Sequence, residues 1–119
     1  MIKAIALPEV DVTSITPAKL AEALQTIHES LTKLQRDVLS VLFLAPKNEI
    51  LVDDRGQYSN VINALGKVGG RISREIGSMP SGGYHLYWVV TQKTNDEDGK
   101  RYWRMRPNFA DALTIVGWK

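Results

Sequence analysis

Residues 60–76 read NVINALGKVGGRISREI, and this stretch decides the predicted fold. Apolar residues at helical spacing indicate a helix over residues 57–65. Gly66 and the pair at 69–70 predict a break, because glycine is a poor helix former. The helical pattern resumes over residues 71–77, with its isoleucines on one side. The stretch therefore predicts two helices joined by a turn rich in glycine.

Two further helices are predicted before this stretch. Thr16-Pro17 is a typical helix start, and an apolar stripe follows it, which predicts a helix over residues 17–30. Thr32 and Gln35 have the spacing of a capping box, and the helix that they begin ends before Pro46. This second helix is apolar over most of its girth, which predicts a central position. Its expected core residues are Leu34, Val38, Val41, Leu42 and Ala45. A short strand is predicted over residues 50–52.

A β-hairpin is predicted after the stretch. Residues 84–91 are rich in aromatic and β-branched side chains, as strands are, and residues 95–99 form a polar turn. Residues 101–106 are the return strand, and Pro107 ends it. Alternation predicts one inward face that consists of Leu86, Trp88, Val90, Trp103 and Met105.

This order of elements resembles the winged helix-turn-helix family. The segments that carry the resemblance are residues 34–39, 50–52, 60–66, 71–76 and 84–106. It covers about residues 32–106 and implies an α+β fold, with a three-helix core and a C-terminal β-hairpin wing. Val68 and two glycines in the turn depart from the family pattern. We expect one domain over residues 1–119, with an extra N-terminal helix and a short C-terminal extension. Residues 1–31 and 107–119 are expected to serve dimerisation, so a homodimer is predicted.

The charge is unevenly distributed along the chain. The net charge is +2, but residues 1–45 sum to −1 and residues 46–119 to +3. Between Arg55 and Lys93 there are five basic residues and one acidic residue, and four more basic residues lie within 100–106. Such clusters suit a polyanion, because neutralised phosphates release counterions. A solvated surface of mixed charge is the alternative, and the charge pattern alone does not distinguish the two.

The resemblance implies that the third helix enters the DNA major groove with its N-terminal residues leading. With the isoleucines inward, Arg71 and Arg74 point outward, and arginine pairs well with guanine edges and phosphates. The alternative is that both are solvated surface residues. The predicted DNA-binding residues of the helices are Asn60, Asn63, Lys67, Gly70, Arg71, Ser73, Arg74 and Ser78. Those of the wing are Lys100, Tyr102, Arg104 and Arg106, for which cross-strand packing is an equal alternative.

The tip of the predicted wing is acidic. Asp96, Glu97 and Asp98 would be repelled by phosphate, so the tip is expected to stay outside the groove or to meet a protein. Calcium binding by Asp96 and Asp98 is a weaker alternative to a solvated turn, because the other oxygen ligands of a calcium loop are missing.

The sequence favours a DNA-binding protein over an enzyme. There are no cysteines, and His28 and His85 lack a metal-ligand partner at helical spacing, so no catalytic residue, metal or cofactor is predicted. No small-molecule ligand is evident and no membrane span is predicted, so we expect a cytoplasmic protein. The leading hypothesis is sequence-specific binding of double-stranded DNA, by a transcription regulator or an accessory factor of a mobile element or plasmid. The alternatives are a protein-interaction module on the same fold and, less favoured, a metal-dependent nuclease that uses Glu49, Asp53 and Asp54.

Overall fold

The computed structural model describes residues 7–51 and 59–118 and shows an α+β fold, as predicted. The helices within these ranges are α1 (Pro17–Ile27), α2 (Lys33–Leu44), α3 (Ser59–Ile76) and α4 (Pro107–Ile115). The strands are β1 (Glu9–Val10), β2 (Glu49–Leu51), β3 (Met79–Pro80), β4 (Val90–Thr94) and β5 (Arg101–Met105). Short 3₁₀ turns cover Val12–Ser14, His28–Ser30, Pro46–Asn48 and His85–Trp88.

The first two helices begin where the sequence predicts. The Thr16 side chain accepts a hydrogen bond from the Lys19 amide at the start of α1. At the start of α2, Thr32 accepts from the Gln35 amide, and the Gln35 side chain accepts from the Thr32 amide. These bonds satisfy amides that have no partner inside the helix. The predicted capping box is therefore confirmed.

The predicted break in the 60–76 stretch is wrong, because α3 is one continuous helix of 18 residues. A glycine within a helix costs roughly 1 kcal/mol relative to alanine, which is small beside the burial of one apolar face of α3. The buried side chains of this face are Ala64, Leu65, Val68 and Ile72. Gly69 has a packing role, since a Cβ at this position would overlap the backbone carbonyl of His85. The helix ends at Ile76, and the next residue, Gly77, has a φ of +82° that suits glycine.

Gly66→Ala tests the continuity of α3. No atom lies within 4 Å of a Cβ added at this position, so alanine should raise the free energy of unfolding by about 0.5–1 kcal/mol. The matched control is Gly77→Ala, which should lower it by about 1 kcal/mol because of the positive φ. Urea denaturation followed by tryptophan fluorescence measures both. Destabilisation by Gly66→Ala would instead indicate a turn at this position.

The main sheet has the strand order β2-β5-β4 and is antiparallel. Residues 85–88 of the predicted first hairpin strand are not extended, since His85–Trp88 forms a 3₁₀ turn and β4 begins at Val90. The turn places the fully buried indole of Trp88 against α3, where its Nε1 donates to Ser73 Oγ at 2.7 Å. The return strand is confirmed over Arg101–Met105. Separately, β1 pairs with β3 in parallel.

The N-terminal helix and the C-terminal helix belong to the same core as the rest of the chain. In α1, Leu20, Leu24 and Ile27 are buried, and in α4, Phe109 and Leu113 are fully buried. These residues belong to one apolar cluster together with residues of α2, α3 and the sheet. Within the predicted extensions, α1 and α4 are therefore structural parts of the domain. Homodimer formation stays a prediction.

Helix α2 buries less of its surface than predicted. Val38, Leu39 and Leu42 are buried, but Leu34 and Val41, expected in the core, are 51% and 55% exposed. Leu44 is also exposed, at 71%. The neighbours of α2 cover only one of its sides. The prediction that α2 lies at the centre of the domain, which was based on its many apolar residues, is therefore wrong.

In the part of the chain that the structure describes, a helix of the length and hydropathy required to span a bilayer is not found.

Candidate nucleic-acid interface

The outward face of α3 carries a row of predicted DNA-binding residues. Asn63, Lys67, Gly70 and Arg74 follow one another at spacings of four, three and four, so they share one side of the helix. At 1.5 Å per residue the row is about 16 Å long. The side chains of Asn63, Lys67 and Arg74 are exposed, and Arg71, beside the row, is partly exposed. The continuity of α3 aligns these residues, since a turn at the glycines would divide them between two helices.

The three cations of this face have no intramolecular partner among the described residues. Neither a salt bridge nor a side-chain hydrogen bond to another described residue involves Lys67, Arg71 or Arg74. The nearest acidic residue in sequence, Glu75, lies toward α1 and lines a small groove there with Lys19. The outward face of α3 is therefore positively charged and available to an external anion.

Two cations of the sheet, Lys93 and Arg104, are paired by contrast. Glu49 Oε1 lies 3.5 Å from Arg104 Nε and 3.9 Å from Lys93 Nζ, and the Glu49 side chain is only 16% exposed. Arg104 lies on the central strand β5, and Glu49 and Lys93 lie on β2 and β4, the two strands that pair with it. One carboxylate thus lies between the cations of two strands. This pairing reduces the attraction of the outer sheet face for phosphate.

The other predicted wing residues also interact within the chain. Tyr102 Oη donates to Asp98 Oδ2 at 2.8 Å, and the Lys100 amide donates to Asp98 Oδ1. The Lys100 amide bond, followed by the Tyr102 bond, lowers the pKa of Asp98, whereas the Asp98 bond raises the pKa of Tyr102. Lys100 is exposed and lies just before β5. Asp98 is therefore part of a hydrogen-bonded turn between β4 and β5.

Arg106 lies beyond the end of β5 and is partly buried. Its Nε donates to the Tyr87 carbonyl at 2.6 Å, and its backbone amide donates to the Val89 carbonyl. Burial lowers the pKa of the Arg106 guanidinium, and the charge of Asp11 partly offsets this effect. Arg106 therefore joins the 3₁₀ turn to the start of α4. The predicted basic ladder of the wing is largely occupied by contacts inside the chain.

Ser73, which was predicted to flank the DNA-contacting arginines, is fully buried. Its Oγ accepts from Trp88 Nε1 and lies 2.8 Å from His85 Nδ1. Ser73 is therefore a packing residue beneath the exposed face of α3, and its predicted contact with DNA is wrong. Ser78 is partly buried beyond the C-terminus of α3, and its amide donates to the Ser73 carbonyl. Asn60 is part of α3, but its side chain lies outside the described residues.

His85 was not predicted from the sequence to be part of this site. A Cβ added at Gly70 would have the His85 ring as its nearest neighbour, 4.0 Å away, so the imidazole lies beside the exposed row. The only hint in the sequence is the glycine pair at 69–70, which was interpreted as a helix break. The same glycines permit the 3₁₀ turn that contains His85 to approach α3 closely.

Other possible sites are less well supported. Asp53 and Asp54, proposed for a nuclease, lie outside the described residues, and Glu49 is paired with two cations. A search of residues 7–51 and 59–118 finds no cluster of three potential metal ligands. A groove of about 720 Å³ lies between α1, α2 and the C-terminal segment, where Trp118 Nε1 donates to Ser40 Oγ. The absence of a small-molecule ligand stays a prediction.

Family models, curated proteins and solved structures give no match to this chain. The winged-helix resemblance therefore depends on the residues and elements of the chain itself. Of that resemblance, the structure retains the short strand and the hairpin, joined in one sheet, and replaces the helix-turn-helix with the single helix α3.

Proposed function

We propose that this protein binds double-stranded DNA through the outward face of α3. The observation that carries the proposal is the contrast between two sets of cations. Lys67, Arg71 and Arg74 share one side of a helix and have no partner among the described residues, whereas Lys93 and Arg104 of the sheet lie against Glu49. Cations without an internal partner are the ones that an external polyanion can engage.

The dimensions and chemistry of this face suit a DNA groove. A major groove about 12 Å wide admits an α-helix, and the row on α3 is about 16 Å long. Arginine forms paired hydrogen bonds with phosphate or guanine, and asparagine can pair with adenine. Gly70 has no side chain, so the backbone in the middle of the row can approach the DNA closely. The 3₁₀ turn at His85–Trp88 packs against α3 and supports it from beneath.

The role that we assign is that of a sequence-specific regulator of transcription, or of an accessory factor for a mobile element or plasmid. Asn63 and the arginines supply the polar groups that read base edges, and Lys67 supplies attraction to phosphate. A homodimer would place two copies of α3 on half-sites about one DNA turn apart.

The salt dependence of binding to a random duplex tests the proposal. A fluorescent 20-base-pair duplex is titrated with the protein at several salt concentrations, and binding is measured by anisotropy. On a random duplex, where binding is electrostatic, we expect Lys67, Arg71 and Arg74 each to contact a phosphate. Three such contacts predict that log K falls against log salt with a slope of about −3. Absence of binding at low salt, or affinity that does not change with salt, would contradict the proposal.

A protein-interaction module is the second candidate, and one observation favours it. Leu34, Val41 and Leu44 leave one side of α2 apolar and exposed. Such a surface is typical of protein contacts rather than of DNA contacts. The same titration separates the two functions, because an interaction module would show no salt-dependent affinity for a random duplex.

A further inference from the structure

His85 has a fixed position beside the proposed DNA-binding row. Its backbone carbonyl lies against Gly69 so closely that this position accepts no Cβ, and its ring lies beside Gly70. On its other side, the 3₁₀ turn is held to α3 by the bond from Trp88 Nε1 to Ser73 Oγ. His85 is therefore held by two contacts with α3, one from its carbonyl to Gly69 and one from its Nδ1 to the buried Ser73.

The hydrogen bonds around Ser73 favour one tautomer of a neutral His85. The indole N–H of Trp88 can only donate, so Ser73 Oγ is the acceptor in that bond. The hydroxyl hydrogen of Ser73 then needs an acceptor, and His85 Nδ1 lies 2.8 Å away. When Nδ1 accepts, the proton of the neutral imidazole is on Nε2. Ser73 thus makes Nε2 a hydrogen-bond donor.

The donor at Nε2 is directed to solvent. No described residue hydrogen-bonds to Nε2, and among the described residues the only buried side-chain polar atom without a partner is Trp103 Nε1. His85 itself is partly exposed. The Nε2–H group of His85 thus lies next to Gly70, between the cations of α3, and has no partner among the described residues. Such a group can donate a hydrogen bond to an anionic oxygen.

We infer that His85 is a further DNA-contacting residue, whose Nε2–H donates to a phosphate oxygen of the duplex that α3 binds. This inference rests on the proposed function of α3. A neutral donor differs from a cation in one measurable way. It adds affinity without releasing a counterion, so it leaves the salt dependence of binding unchanged. The contribution of His85 can therefore be separated from the contributions of Lys67, Arg71 and Arg74.

The test compares His85→Asn with Arg74→Ala on a random duplex at pH 8. Asparagine keeps a polar group near Ser73 and lacks the outer nitrogen. We expect His85→Asn to weaken binding about threefold to tenfold with an unchanged salt slope. Arg74→Ala should weaken binding and reduce the magnitude of the slope by about 1. Wild-type affinity of His85→Asn beside impaired Arg74→Ala overturns the inference and leaves the function of α3 intact.

A second measurement uses the unmodified protein, so it does not depend on the folding of a variant. Long-range ¹H–¹⁵N spectra of the two histidine rings report the tautomer of each ring. His85 should show the Nε2-protonated form, and its Nε2 resonance should shift when the duplex is added. His28, exposed and in edge contact with Trp118, is the internal control and should not shift. A proton on Nδ1, or equal shifts of both rings, overturns the inference. If the unmodified protein does not bind the duplex, both the inference and the function of α3 fail.

Discussion

Replacing Lys67, Arg71 and Arg74 together by alanine is expected to weaken binding to a random duplex about a hundredfold at 0.15 M salt. Each lost phosphate contact should also reduce the magnitude of the salt slope by about 1. The three side chains have no bonds to other described residues, so their removal should leave the fold intact. Alanine is a strong helix former, which protects α3 further. Anisotropy titrations and thermal unfolding measure the two properties.

A control variant that removes the same number of positive charges distinguishes binding by the face of α3 from an effect of net charge. Lys33→Ala, Arg36→Ala and Lys93→Ala also remove three positive charges, at positions away from α3. Lys33 is paired with Asp37 at 2.9 Å, and Lys93 lies near Glu49. We expect this variant to lose only a few-fold in affinity. Equal losses in the two variants would contradict a binding face on α3.

Gly69→Ala is expected to lower the free energy of unfolding by about 2–3 kcal/mol, because overpacking against rigid backbone forces neighbouring segments apart. The added methyl would overlap the carbonyl of His85, which belongs to a 3₁₀ turn rather than to a flexible side chain. Displacement of the turn would also stretch the bonds of Ser73 to His85 and Trp88. Urea unfolding followed by tryptophan fluorescence measures the loss.

Gly70→Ala is the matched control, one residue further along α3. Its nearest neighbours would be ring atoms of His85 at 4.0 Å, an ordinary contact distance. Alanine there should leave stability unchanged or raise it by up to about 1 kcal/mol. If both substitutions have the same effect on stability, the close approach of the turn to Gly69 is wrong.

Features that depend on neighbours in the sequence were predicted well. The capping residues Thr16 and Thr32 bond to amides three residues later, so the spacing alone locates the helix starts. Pro46 and Pro107 mark a helix end and a strand end for an equally local reason, since proline fixes φ and lacks an N–H. The return strand of the hairpin was also located correctly.

Features that depend on distant contacts were predicted poorly. Gly69 has the composition of a helix break, but its actual role is to admit a segment that lies 16 residues later in the chain. Trp88 has the pattern of a strand residue, although its indole bonds to Ser73, 15 residues earlier. Local propensity is a weak indicator where tertiary packing competes with it. Leu34 and Val41 show the same limit, since an apolar stripe does not specify which neighbour covers it.

The candidate site was predicted in part. Asn63, Lys67 and Arg74 are exposed on one side of α3, although the sequence divided them between two helices. The sequence could not show whether Arg104 is available to DNA, because its partner Glu49 lies 55 residues earlier and pairs with it across the sheet. Ser73 was placed on the surface because its two partners come from the turn at His85–Trp88. Charge patterns thus identified candidate residues, and the pairing of strands and turns determined which of them are available.

The most direct measurement of the central claim is a ¹H–¹⁵N correlation spectrum of the labelled protein during titration with a random duplex. Binding through α3 predicts the largest amide shifts from Asn63 to Arg74, with smaller changes in β4 and β5. Shifts concentrated in β4, β5 or the exposed side of α2, with the amides of α3 unchanged, would contradict the account.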